Sequence, residues 1–208
     1  MAKEREILTA GLRELGLDPA DAAIAAFDLY RDELKKWNKV HNITSITDDD
    51  EIVIKHFLDS LLYLKAIQMD RPALCDVGSG GGFPGLPIAI VKPDFNMTLL
   101  EPARKKAAFL KQMRRLLGLK NVEIIACRAE ELEESEFDVV VTRATFSIED
   151  MLAKAGHLIK KSGVLIMSKG PGYEEEIKQL PALYHAEVTP VRLAHADMTR
   201  NLVIIRRA

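Results

Sequence analysis

Apolar residues recur with two different periods along this chain, and the period changes near Pro72. Before that point the spacing is helical. Residues 3–15 form a short amphipathic pattern ending at Gly16. Asp18-Pro19 then gives a helix-start signal, an acid at the cap followed by a proline whose missing N–H costs nothing there. Ile24, Phe27, Tyr30, Leu34 and Trp37 follow at intervals of three or four, one apolar face on a helix that stops near Asn38. After a polar link around Asn42, Thr44 and Ser45, a third helix is predicted from about Asp50 to Leu64. Three helices with no strand among them predict a cap over residues 1–71 and not a free-standing domain.

From Ala73 onward, short apolar runs alternate with helical ones. The spacing predicts strands at about 73–77, 96–101, 121–126, 137–142 and 163–168, and helices near 84–91, 103–117, 147–160 and 173–180. Such alternation predicts an α/β fold, a parallel sheet covered on both faces. The tail departs from it: 184–193 and 201–207 are both strand-like and are joined without room for a helix, so they should pair antiparallel at the sheet edge. Residues 72–208 are therefore expected to carry a mostly parallel seven-stranded sheet.

Composition narrows the class. With 208 residues, 48% of them hydrophobic, the chain can bury a full core without disulfide or metal staples. No apolar run reaches the length of a membrane span, and the N-terminus passes straight into an amphipathic pattern, so a soluble cytoplasmic protein is expected. Cys75 and Cys127 lie in strand-like runs and read as buried small hydrophobes, and the 5 histidines show no ligand spacing, so no metal is expected. The formal net charge of −2 excludes a uniformly basic surface but not a local basic cluster.

The strongest chemical signal is Asp76-Val77-Gly78-Ser79-Gly80-Gly81-Gly82-Phe83-Pro84-Gly85, between a predicted strand and helix. Glycines let the backbone turn sharply and approach a ligand, and in an open α/β sheet this loop lies where ligands bind. Two ligands fit the string. Gly80, Gly82 and Gly85 match G-x-G-x-x-G, with Glu101 21 residues after Gly80, as in a dinucleotide fold. In the other frame, Asp76-x-Gly78-x-Gly80-x-Gly82, an acid closes the first strand where a dinucleotide fold keeps an apolar residue. Asp76 then suits the cationic amino group of S-adenosylmethionine and Glu101 its two ribose hydroxyls. Ala129-Glu130, after the third strand, falls where the adenine would lie. The antiparallel tail favours this second frame, a Rossmann-like class I S-adenosylmethionine-dependent methyltransferase.

The acceptor is narrowed by what the fourth strand's end lacks. Val141-Thr142-Arg143-Ala144-Thr145-Phe146 contains no Asn/Asp-Pro-Pro-aromatic turn for an exocyclic amine. The two cysteines belong to other strands and cannot serve as a nucleophile for cytosine carbon. Asp138 sits too early in its strand for ribose oxygen chemistry. An acceptor needing no deprotonation remains, such as guanine N7, whose lone pair is free at neutral pH. Catalysis would then rest on alignment and desolvation, with Arg143 holding guanine O6 or a phosphate.

These residues carry a resemblance. Asp76 to Gly85, Leu100-Glu101 with Lys105-Lys106, Arg128-Ala129-Glu130, Thr142-Arg143-Ala144 and Lys169-Gly170 resemble the glucose-inhibited division protein B family. So do Trp37-Asn38 with Asn42-Ile43-Thr44, and His56 with Asp59-Ser60. The resemblance spans about residues 37–170. It implies a bacterial methyltransferase acting on guanine N7 in the 530 loop of 16S ribosomal RNA, and cofactor contacts at Gly78, Phe83, Ala129, Glu130 and Arg143. Pro102 replaces a serine common in relatives, and Ile43 a commoner leucine.

Arg104, Lys105, Lys106, Lys111, Arg114 and Arg115 share one predicted helix, with Lys120 just beyond. Such a run is either a solvated face or a phosphate-binding cluster. Lys105 and Lys106, nearest the loop, are the first candidates for RNA contact, with Lys169 and Asn42 as further ones. His56 and Asp59, three apart on a helix, form a local pair by default; the resemblance makes them candidates for closing the acceptor pocket. A small-molecule methyltransferase and a non-catalytic S-adenosylmethionine-binding regulator are the competing functions, and monomer is the default state.

Overall fold

A computed structural model describes residues 2–133, 136–143, 146–193 and 196–208. Ala144 and Thr145, part of the string at the fourth strand's end, lie outside the described residues. The chain opens with α1 (Ala2–Glu14) and α2 (Asp21–His41). Gly16 takes a left-handed φ of 75° just past the first helix, and Asn42 closes the second at φ 50°, its N–H on the Asn38 carbonyl at 3.2 Å. Asparagine tolerates that conformation better than most side chains. The second helix begins later than Asp18-Pro19 predicts: Ala20 is its cap, because the first helical bond runs from Ile24 N–H to the Ala20 carbonyl.

The third helical stretch is one rod of several pitches. It starts as α3 (Asp49–Ile52), capped by the Asp48 carboxylate on Glu51 N–H at 3.0 Å. It widens into a π-helical turn at Val53–Leu58, returns to α4 (Asp59–Leu61) and tightens to a 3₁₀ turn at Leu62–Lys65. Regular α-helix was expected throughout, and π turns concentrate at functional positions. This one carries His56.

Seven strands follow: β1 (Ala73–Val77), β2 (Asn96–Leu100), β3 (Val122–Ile125), β4 (Phe137–Thr142), β5 (Ile159–Lys169), β6 (Tyr184–Leu193) and β7 (Met198–Arg207). Between them lie α5 (Gly85–Val91), α6 (Arg104–Leu116), α7 (Ile148–Ala155) and α8 (Tyr173–Lys178). The sheet order is β3-β2-β1-β4-β5-β7-β6; the first five strands are parallel, and β7 is antiparallel to both its neighbours. The expected architecture is therefore present. One boundary moves: β5 starts at Ile159, well before residue 163, because α7 gives way to a 3₁₀ turn at Gly156–Leu158 and Ile159 pairs with Phe137.

The chain runs outward from β1 to β3 and then returns to β4, so the switch point lies between β1 and β4. In open α/β sheets ligands bind in the crevice beyond the carboxyl ends of those strands. Alternation along the strands builds two cores. Leu74, Val139 and Val141 face the α1–α6 side, where they join Leu12, Phe27, Tyr30, Phe57 and Phe109. Cys75, Val77 and Val140 face α7, packing with Met151, Leu158 and Leu165. Side chains of the N-terminal helices thus share one core with the sheet, which fixes them over the switch point.

A candidate cofactor and acceptor site

The loop after β1 is tied from three directions. Gly78 and Ser79 N–H groups donate to the Leu100 carbonyl at 2.9 and 3.0 Å, strapping the loop to the end of β2. Gly82 and Phe83 N–H groups fold back on the Ser79 carbonyl at 2.8 and 2.9 Å. Gly80 N–H donates to Glu101 Oε2 at 2.8 Å, and Ala103 N–H to Oε1 at 2.8 Å. Two glycines are obligatory. A β-carbon on Gly85 would lie 2.8 Å from Asp76 Oδ2, and one on Gly82, itself at φ 96°, 2.5 Å from the Tyr30 hydroxyl. Tyr30 in turn donates to the Gly81 carbonyl, so the cap pins the loop.

This hydrogen bonding separates the two ligand frames. A dinucleotide places a pyrophosphate on free N–H groups of such a loop. Here the N–H groups of Gly78, Ser79, Gly80, Gly82 and Phe83 are all engaged within the protein. Two buried carboxylates, Asp76 and Glu101, also underlie it, a field that repels an anion and favours a cation. Each Glu101 oxygen accepts one N–H and keeps a second lone pair, the capacity a ribose diol requires. Asp76 is placed differently from its expected direct contact. Its Oδ2 accepts Gly85 N–H at 2.9 Å while Oδ1 is buried without a hydrogen-bond partner. Burial pushes its pKa up to about 7.

Two lobes meet at Gly78. One, of about 260 Å³, is lined by Val77, Leu100, Pro102, Cys127, Ala129 and Phe146, with Glu130 and Lys154 at its rim. That apolar lining fits an adenine ring, and Glu130 is ion-paired with Lys154 at 2.9 Å. The other lobe, of about 480 Å³, is bounded by Ile43, Thr44, His56, Gly78–Gly81, Phe83 and Arg143.

Arg143 and the cap close this second lobe together. Its Nη1 donates to the Lys55 carbonyl at 2.8 Å and to Asp59 Oδ2 at 3.3 Å; its Nη2 meets His56 Nδ1 at 2.8 Å. The guanidinium also lies 4.9 Å over the Phe83 ring, and the His56 ring stacks on that ring at 4.3 Å and 9°. Proton counting fixes the tautomer. Arginine only donates, so His56 Nδ1 accepts and Nε2 carries the hydrogen. Nε2–H then donates to Thr44 Oγ1 at 2.8 Å, which also accepts Ile46 N–H at 3.1 Å. The hydroxyl proton of Thr44 is left for the lobe. Burial, reinforced by Arg143, lowers the His56 pKa to about 3. Asp59 Oδ1 faces a second guanidinium, Arg200 Nε, at 2.7 Å.

The structure brings Gly78, Gly80, Phe83, Arg143, His56 and Asp59 to one place, with Glu101 and Asp76 under the loop and Ala129 and Glu130 in the adjoining lobe. The expected RNA contacts lie apart. Lys105 is exposed and Lys106 half-buried on the first turn of α6, outside both lobes. Lys169 is withdrawn into a pair with Glu176 at 2.7 Å and a bond to the Phe146 carbonyl at 3.0 Å, so its charge is already matched. Asn42 is exposed and serves as the cap of α2.

Sequence reasoning passed over four residues. Thr44 stood only as part of a family string and Tyr30 only as one position of an apolar stripe. Tyr63 donates to the Thr142 carbonyl at 2.7 Å and accepts Ser168 N–H at 3.1 Å, joining the ends of β4 and β5. Arg200 gave no signal, because its partner Asp59 lies far away in sequence.

Comparison with known proteins agrees with this geometry. A family model described as rRNA small subunit methyltransferase G matches residues 23–203. Ribosomal RNA small subunit methyltransferase G of Neisseria meningitidis serogroup C (strain 053442) is 38% identical over 206 residues, covering 99% of each chain. The protein of the same name from Geobacter sp. (strain M21) is 39% identical over 212 residues, covering 98% of this chain and 97% of that one. Among solved structures, ribosomal protein L11 methylase from Lactobacillus delbrueckii subsp. bulgaricus superposes with a TM-score of 0.57 at 14% identity, covering 74% of this chain and 79% of that one. M. jannaschii TYW2 in complex with AdoMet gives 0.55 at 19% identity, covering 71% and 74%. At such identities these two likenesses speak for the fold alone, whereas the match along nearly the whole sequence makes this chain a member of the rRNA small subunit methyltransferase G family.

Proposed function

We propose that this protein transfers the methyl group of S-adenosylmethionine to N7 of a guanine in the 530 loop of 16S ribosomal RNA. The observation that carries the choice of acceptor is the state of the groups around the second lobe. His56 has no lone pair to take a proton, since Arg143 occupies Nδ1 and Nε2 carries hydrogen. Asp59 is held between Arg143 and Arg200. A lobe lined by no carboxylate, whose imidazole is engaged, suits a nucleophile that needs no base, and guanine N7 is one.

The residues divide the work. Ala129 and the apolar lobe take the adenine, Glu101 the ribose hydroxyls, and the backbone of Gly78 and Gly80 the amino-acid end. Asp76 acts from beneath the loop, where its uncompensated carboxylate favours a cation above it. Bound there, the sulfonium supplies an activated methyl group. Phe83 presents a flat face shared with His56 and Arg143, which keeps water from the transfer path. Thr44 donates its remaining proton to guanine O6, the acceptor beside N7, and leaves the N7 lone pair open. Lys105 and Lys106 contact RNA phosphate at the loop end of α6, and Asn42 borders the entry. Residues 1–71 serve as the cap and residues 72–208 as the methyltransferase domain. We further infer that the protein works in the cytoplasm, with its ribosomal substrate, and as a monomer.

The test is methyl transfer itself. Protein, S-adenosylmethionine labelled in the methyl group and small ribosomal subunits from cells lacking this enzyme are incubated, and RNA is separated from ribosomal protein. Label in the RNA approaching one methyl per subunit is expected. Label confined to protein, or cofactor binding without transfer, overturns the proposal; the latter outcome favours a regulator.

A further inference from the structure

A further cavity lies apart from the site just described. It is an open groove of about 900 Å³ on the outer side of β2 and β3, at the edge of the sheet. Lys111, Arg114, Arg115 and Lys120 line it, with Glu123 as its one carboxylate. None of its lining residues belongs to the two lobes around Gly78.

The helix behind the groove is electrostatically lopsided. The 13 residues of α6 include six cations and no acid, although the whole chain has 31 acidic side chains against 29 basic ones. Lys111 and Arg115 stand four apart on one face, a like-charge spacing that weakens a helix. Arg114 is half engaged, its Nε on the Val122 carbonyl at 2.5 Å. Arg115 meets the neutral Gln112 at 3.4 Å. Among the described residues no carboxylate is ion-paired with any of the four. Two of them profit from the helix C-terminus, but Lys111 and Lys120 lie before and beyond the last turn. Four cations that share a concave surface with a single carboxylate, none of them ion-paired with it, are arranged for an external anion.

Direction along the helix identifies that anion. α6 starts next to Glu101, at the cofactor end of the sheet, and finishes at the groove. Its length at 1.5 Å per residue is about 18 Å. Arg104, Lys111 and Arg115 fall on one stripe of it, so a line of positive charge leads from the lobes to the groove. A polyanion long enough to follow that line is needed to use both ends.

We propose that this groove is a second contact surface for the substrate RNA, holding backbone phosphates that flank the target guanine while the base lies in the lobe bounded by Thr44 and Arg143. The proposal rests on the RNA methyltransferase reading. It explains why basic residues continue along α6 well past Lys106, where no catalytic purpose reaches them.

The test compares full-length wild-type protein with a Lys111→Ala/Arg115→Ala/Lys120→Ala variant and a control lacking equal charge elsewhere, Arg13→Ala/Lys39→Ala/Lys161→Ala. Binding to deproteinised small-subunit ribosomal RNA is followed across salt concentrations, after confirming that the wild type methylates it or the subunit. Each single-strand phosphate contact adds about 0.7 to the slope of log affinity against log salt. The groove variant should therefore lose a slope of about 2, keep wild-type affinity for S-adenosylmethionine, and show a raised KM for RNA; the control should match the wild type. An unchanged slope, or an equal loss in the control, overturns the proposal. A defect seen only with assembled subunits overturns it in favour of an acidic protein surface. Failure of the wild type to methylate any RNA would instead bring down the functional reading on which this one stands.

Discussion

Replacing His56 by glutamine should remove a specific dependence of stability on pH. In the folded protein burial and the adjacent Arg143 lower the His56 pKa to about 3, whereas an unfolded histidine titrates near 6.5. Between those values the unfolded chain binds a proton that the folded chain does not, so stability rises with pH through this window and is level above it. Moving from about pH 7.5 to about pH 5 crosses roughly 1.5 units of the window, and at about 1.4 kcal/mol per unit His56 costs about 2 kcal/mol. The figure holds for any folded value well below 5. Asp76 works in the opposite sense. Its folded pKa of about 7 lies above the ordinary 3.8, so its protonated form stabilises the fold at low pH and that contribution fades as pH rises toward 7. The two slopes largely cancel in the wild type. Subtracting the His56→Gln protein, which retains Asp76, isolates the histidine. Urea unfolding followed by the fluorescence of Trp37, without cofactor, gives both free energies at both pH values. The wild type should lose about 2 kcal/mol more than the variant on acidification. Equal losses would mean that His56 titrates normally, and would refute its pinned, neutral pairing with Arg143 and Thr44.

Two further outcomes follow from the same site. Near pH 7 Asp76 is about half protonated, and a cation bound above the loop favours its charged form; S-adenosylmethionine binding should therefore release up to about half a proton, read by calorimetry in buffers of different ionisation enthalpy. Asp76→Asn should abolish the release, and a wild type without it contradicts the role given to that carboxylate. Thr44→Val should slow single-turnover methyl transfer about tenfold, the equivalent of one neutral hydrogen bond. Cofactor affinity should stay intact and Thr44→Ser should restore the rate; a valine variant at full speed would remove Thr44 from the acceptor lobe.

The parts of the molecule legible in the sequence are those set by local periodicity. The alternation after Ala73 gives the sheet and its covering helices, and the absence of a crossover helix before residues 201–207 gives the antiparallel edge. The Gly78–Gly85 string and Glu101 place the cofactor frame because one strand–loop–helix unit contains nearly all of it. The sulfonium frame is already favoured by Asp76 and the antiparallel tail; the loop's hydrogen bonds, which depend on Leu100 and Glu101 arriving from the neighbouring strand, add its physical reason. Contacts of long reach stayed hidden. Nothing near Tyr30 announces that its hydroxyl meets the Gly81 carbonyl, nor near Arg200 that it faces Asp59. The π turn at Val53–Leu58, which carries His56, leaves no mark in the apolar spacing. Lys169, open by position, is matched by Glu176 from α8, a pairing visible only once the chain is folded.

Whether the acceptor is a ring nitrogen needing no base is decided by identifying the methylated nucleoside. RNA from labelled small subunits is digested and its nucleosides separated by mass and retention. A single product, N7-methylguanosine, is expected, at a position cleaved by aniline after borohydride reduction. A methyl group on an exocyclic amine, a base carbon or a ribose oxygen would contradict it, since each of those acceptors requires a proton acceptor or nucleophile that neither His56 nor Asp59 is placed to supply.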